Sequence, residues 1–133
     1  MNMDEVNAKP IASANAIAPG DCVEARRRAA EKPDLDVDVL PSPVRQSPRP
    51  FQRMPADVRA QVAKSGANVQ VNVVIDTLGH AMMKTFQVVQ TSNPWFTQNL
   101  RAILPRWTFS PAQLAGCKVA RVYKFSATSK PSA

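Results

Sequence analysis

The clearest pattern in the chain is the alternation in NVQVNVVID. Val69, Val71, Val73 and Ile75 fall on one side of an extended backbone, and Asn68, Gln70 and Asn72 on the other. Strand side chains alternate between faces, so this period of two predicts a strand with one buried face. Asp76-Thr77-Leu78-Gly79 reads as a turn, because an Asp carboxylate can accept backbone amides and glycine takes positive φ without steric cost. A second strand near Met82 to Gln90, centred on Phe86 and Val88, completes a hairpin. Helical spacing flanks it. Val58 and Val62 lie four apart between Pro55, near a helix start, and Gly66, just past its end. After an Asn93 cap and Pro94, the residues Phe96, Leu100, Ile103 and Leu104 form one apolar stripe that Pro105 stops. Trp107 and Phe109 alternate in a short strand entering a loop from Pro111 to Gly116. The last strand is expected near Cys117 to Ala127, with Val119, Tyr123 and Phe125 on one face and a frayed tail over 128–133. This order predicts an α+β fold: a small antiparallel sheet of about three strands with two helices on one face.

The first 50 residues read differently, as an extended arm. Residues 1–20 are small, polar and aperiodic, with no independent structure expected. Asp21 can cap the amide of Glu24, and Glu24 can reach back, so 22–32 predicts a short helix that Pro33 ends. At about 11 residues such a helix is marginal unless it packs on something. DLDVDVL then alternates Leu35, Val37 and Val39 against Asp34, Asp36 and Asp38, a possible strand over 34–40 or an acidic linker. Pro41, Pro43, Pro48 and Pro50 make a stiff spacer.

Charge divides along the same line. Residues 1–50 hold seven Lys/Arg against eight Asp/Glu, a net −1, whereas residues 51–133 hold ten against two, a net +8. A basic domain favours acidic proteins, anionic headgroups or nucleic acid. Lys118, Arg121 and Lys124 recur every third residue, so strand alternation sets Arg121 opposite the two lysines. Nucleic-acid sheets carry basic and aromatic residues on one face, so no nucleic-acid partner is expected.

The longest strictly aliphatic run is Val73, Val74 and Ile75, against roughly 20 residues for a membrane-spanning helix. MNMDEVNAKP lacks the apolar centre of a signal peptide, which reads as cytoplasmic or peripheral at a membrane. That reading favours reduced thiols at Cys22 and Cys117 over a disulfide stapling arm to domain. No catalytic constellation is present: His80, the one histidine, reads as a solvated turn residue, and no paired carboxylate, nucleophile elbow or phosphate loop occurs. No metal or other cofactor is expected.

VNVVIDTLGHA, followed by LRAILPRWTFSPAQLAGCKVARVYKFS, resembles the C-terminal domain of the TonB family over about residues 51–127. The positions that carry the resemblance are Ile75, Asp76, Gly79, Trp107, Phe109, Pro111, Ala112, Gly116 and Phe125. It implies a small antiparallel sheet backed by two helices, protein binding by strand addition at an exposed edge, and a periplasmic setting. Family members are usually anchored by an N-terminal membrane helix, and none is encoded here. The expectation is therefore a noncatalytic interaction module: an extrinsic accessory or stabilising subunit of a membrane-associated complex, touching the membrane only peripherally. Docking is expected by sheet edge, basic face and arm, through Leu35, Val37, Val39, Lys118, Arg121 and Lys124. A homodimer is compatible with this. The alternatives are a TonB-type energy transducer whose anchor is missing from this chain, and a basic binder of nucleic acid or anionic lipid.

Overall fold

The computed structural model describes residues 17–132; of the aperiodic start read over 1–20, residues 1–16 lie outside this range. Its elements are α1 (Cys22–Glu31), β1 (Ser42–Arg45), α2 (Ala56–Ser65), β2 (Ala67–Ile75), β3 (Ala81–Thr91) and α3 (Pro94–Ile103). A 3-10 turn (Leu104–Arg106) follows, then β4 (Thr108–Ser110), β5 (Ala112–Leu114), β6 (Cys117–Val119) and β7 (Arg121–Ser129). The central sheet runs β3-β2-β7, antiparallel throughout, so the alternating strand β2 lies in the middle. The fold is α+β, as the pattern predicts.

The buried side of β2 is the expected one. Val69, Val71, Val73 and Ile75 are almost wholly covered, and they share one core with Val58 of α2 and Phe96, Leu100 and Ile103 of α3. Asn93 starts α3 by accepting the Trp95 amide at 2.8 Å, with Pro94 at the first helical position. Trp107, Phe109 and Phe125 close the core from below. Arg101 lays its guanidinium 4.4 Å from the centre of the Phe86 ring, a cation–π contact over the sheet. Where the β2–β3 register slips between Asn72 and Val74, the Thr85 hydroxyl fills the break: it accepts the Val74 amide at 2.8 Å and donates to the Met82 carbonyl at 2.6 Å.

The turn after β2 forms as read. Asp76 Oδ1 accepts the amides of Leu78 and His80, both at 2.9 Å. Gly79 sits at φ +85°, its carbonyl accepts the Phe109 amide at 2.9 Å, and a Cβ there would collide with the Phe109 carbonyl. Only glycine satisfies both conditions.

Several expectations change. The last strand is not continuous: it breaks at Ala120, with β6 pairing to β5 in a hairpin and β7 pairing to β2. The stretch from Pro111 to Gly116 is therefore not all loop. Val119 consequently leaves the face of Tyr123 and Phe125 and enters a second, smaller core. The tail is shorter than read, because Thr128 and Ser129 extend β7 opposite Asn68 and Ala67.

The largest differences concern the stretch read as an arm. Helix α1 forms as expected, with Asp21 accepting the Glu24 amide at 3.2 Å; Glu24 does not reach back but pairs with Arg27 and Arg28. Ala25 and Ala29 bury against Ala112, Cys117 and Val119, with Ile17, Val37 and Leu114 at the rim. The two cysteines are not reduced thiols: Cys22 and Cys117 form a disulfide, with their Cα atoms 5.4 Å apart. The fold brings α1 onto the β5–β6 hairpin, which places the two sulfurs within bonding distance. No strand forms over 34–40. Val39 makes a single bridge to Gln113, whose carbonyl also accepts the Asp38 amide, and Arg121 takes the carbonyls of Asp34 and Leu35, so no ladder runs along the segment. In the proline-rich spacer, β1 pairs with β4, and the Pro48 carbonyl accepts the buried Trp107 indole N–H at 2.7 Å.

Candidate functional site

The central sheet has two outer strands. On β7 the direction of each backbone group can be assigned from one bond: the Val122 amide donates outward, to the Pro33 carbonyl, at 2.9 Å. Alternate residues of an antiparallel strand turn their amides and carbonyls to the same side. Lys124, Ser126 and Thr128 therefore point theirs away from β2. The outward carbonyl of Val122 accepts Arg121 Nη1 at 3.0 Å. From Lys124 to Thr128 the edge is open among the described residues, a length of about 14 Å at strand rise.

The surroundings give this edge a chemical character. On the sheet face away from the helices, Gln70, Asn72, Val89, Lys124 and Ser126 border a shallow depression of ≈ 300 Å³. Beside the Pro33 end, Leu40, Pro41, Arg121, Val122, Tyr123 and Lys124 border a second of ≈ 180 Å³. Lys124 belongs to both. Its side chain is exposed, as are those of Ser126 and Thr128. Tyr123 packs edge-on against Phe109, with ring centres 5.1 Å apart, and burial pushes its phenol above the usual tyrosine pKa. The edge thus offers amide and carbonyl groups, one cation, and apolar relief at its start.

The residues read as partner-binding divide into two groups. Lys118 and Lys124 are exposed. Arg121 is occupied within the chain: Nε donates to the Leu35 carbonyl at 3.2 Å and Nη2 to the Asp34 carbonyl at 3.4 Å. Leu35 and Val37 are half-buried against the chain's own surface, and Val39 is 44% exposed. The structure does not bring these six residues onto one surface. Most of the resemblance positions, by contrast, sit together: Ile75, Trp107, Phe109 and Phe125 lie in one core, and Asp76 and Gly79 form the turn that meets Phe109, while Ala112 lies in the smaller core. Pro111 separates β4 from β5, and Gly116 takes φ +79° in the β5–β6 turn.

Sequence reasoning missed Pro33, Leu40 and Pro41 as the boundary of the edge. Pro33 acts through its carbonyl, which every residue has, so no residue type signals it. The electrostatics of α1 are local. Bonds from Arg27 and Arg28 hold the half-buried Glu24 carboxyl down to about 2, and Glu24 in turn raises the pKa of Arg27.

No family model matches this sequence. No curated protein matches it either. Among solved structures, the chain is similar to the TonB C-terminal domain of Pseudomonas aeruginosa, solved in solution by NMR. Identity is 25%, the match covers 68% of this chain and 85% of that one, and the TM-score is 0.46. The likeness is one of fold, and an overlap at that level does not fix what this chain does.

Proposed function

We propose that the protein is a noncatalytic interaction module that docks an extended segment of a protein partner onto the open edge of β7. The observation that carries this reading is the row of outward backbone groups at Lys124, Ser126 and Thr128, beside a strand whose preceding rung is already used. A row of unpaired strand groups is a template for another strand, and folds that do not use such an edge commonly cover it. The net +8 of residues 51–133, with Lys124 on the edge itself, favours an acidic segment. The disulfide fits an oxidising compartment, which moves the reading away from the cytoplasm. No helix among the described residues is long and apolar enough to cross a membrane. On this reading the protein acts as an extrinsic, accessory subunit that stabilises a larger assembly.

The test is native purification of the full chain carrying Ser126→Pro. Proline removes one outward amide from an edge strand without breaking the ladder to β2. Co-purifying protein is expected to be lost with Ser126→Pro and kept with Ser126→Ala. Partner retention by both variants, or a monodisperse monomer from the unaltered chain, would overturn the reading.

A further inference from the structure

The segment that ends the open edge is itself tied down by a bond that can be broken. Pro33 lies two residues after the end of α1, and its carbonyl holds the first outward amide of β7. The neighbouring carbonyls of Asp34 and Leu35 hold Arg121, whose Nη1 covers the carbonyl of Val122. The chain thus provides a partial mimic of a docked strand at the start of its own edge. Apart from the disulfide, little fixes this cover. The core beneath α1 buries only three alanines, Val119 and Cys117, with Ile17, Val37 and Leu114 at its rim, and α1 has ten residues, short for a stable isolated helix. The other bonds that fasten it lie at its edges: the Gly20 amide to Ala115, Asp38 and Val39 with the Gln113 backbone, the Ala115 amide to Asp38 Oδ2, and Arg26 Nε to the Lys118 carbonyl at 3.2 Å.

We propose that residues 22–38 form a redox-releasable cover on β7, with Cys22–Cys117 as its latch. Reduction requires a dithiol as co-reactant. One of its thiolates attacks the Cys22 sulfur, the more accessible of the two because Cys117 is 3% exposed, and Cys117 leaves as a thiolate. The second dithiol sulfur then displaces Cys22 and closes a disulfide in the reductant. Two electrons pass to the protein, and two protons leave both cysteines as thiols. With the latch open, α1 and the turn at Pro33–Asp34 lift away. Val122 regains a free amide, Arg121 is released, and the open edge lengthens by one outward residue. The functional consequence rests on the reading of β7 as the docking edge, whereas the release itself does not.

Amide hydrogen exchange on the full chain, oxidised and then treated with dithiothreitol, tests the release without any ligand. Exchange at Val122 and through α1 is expected to quicken at least tenfold more than at Val71 and Val73 in the middle strand, which follow only the loss of global stability. The Cys22→Ser/Cys117→Ser variant should match the reduced chain. Unchanged protection at Val122 after complete reduction would overturn the latch and leave the docking reading standing. Equal acceleration at Val71 and Val73 would overturn it too, since the disulfide would then be holding the whole fold. If Val122 is released but Ser126→Pro still retains the partner, the docking reading fails and the latch stands.

Discussion

The molecule contains two cores built on different principles. The larger one interlocks Trp107, Phe96, Phe109, Phe125 and the valines of β2, drawn from elements spread between Val58 and Phe125. The smaller joins Ala25 and Ala29 to Ala112, Cys117 and Val119, and adds a covalent bond. Burial free energy scales with apolar area, and alanine contributes little of it. The aromatic core can hold itself together, whereas the alanine core allows close approach but gains little from it. A cross-link joining points 95 residues apart supplies what side-chain area does not, by restricting the unfolded chain.

The contrast can be broken most directly at Trp107. Trp107→Ala removes the largest fully buried side chain and leaves the Pro48 carbonyl without its donor. A loss of about 3–5 kcal/mol is expected, with both regions unfolding together in urea. Survival of the central sheet would show that the aromatic cluster is not the organising core. Removing the disulfide by Cys22→Ser with Cys117→Ser should cost about 2–4 kcal/mol in total stability. Near-ultraviolet circular dichroism from the aromatic core should persist in native buffer; its loss would mean that the two cores are one cooperative unit.

Gly79→Ala sharpens the comparison inside the larger region, where a backbone contact rather than a side chain is at stake. A methyl group there meets the Phe109 carbonyl at a φ unfavourable to alanine, so more than about 1 kcal/mol should be lost in thermal unfolding. The smallest effect is expected on α1 in acid. The Glu24 pKa is depressed on folding, so its contribution is fully present above the ordinary value of 4.5 and is lost as pH falls through about 2. Protection of α1 amides, relative to their intrinsic exchange rates at each pH, should fall across that window while that of β2 does not, and Glu24→Gln should remove the fall. Because Glu24 and its arginine partners are all partly open to solvent, the effect should shrink in high salt.

The two regions were unequally legible in the sequence. The valines of β2 and the apolar stripe from Phe96 to Leu104 carry large side chains at regular spacing, the Asn93-Pro94 start of α3 and the Asp76–Gly79 turn carry cap and turn residues, and each formed as read. The smaller core has no such signature. Cys22, Ala25 and Ala29 do lie at helical spacing on one face, and that small-residue row beside a cysteine is the one available signal. The fastening of the arm is invisible for another reason: Pro33, Leu35 and Pro48 act through backbone carbonyls, and only the three-dimensional arrangement shows which carbonyl Arg121 or Trp107 will find. The break at Ala120 was hidden because β6 and β7 each alternate correctly, yet serve different cores. The candidate edge was foreseen as a kind of surface, and its limits at Lys124 and Thr128 were not.

The position of the disulfide also sets how the molecule would bear a load. Tension applied to the chain before Cys22 passes through the sulfur–sulfur bond to Cys117 and reaches the start of β7 four residues later, past Ala120. The long loop from Val23 to Gly116, which holds most of both cores, lies outside that path. Pulled between its N-terminal side and a strand gripped on β7, the oxidised protein would be stretched along a short covalent route, with β2, β3 and the helices as slack. The reduced protein would have to be peeled apart from α1 onward.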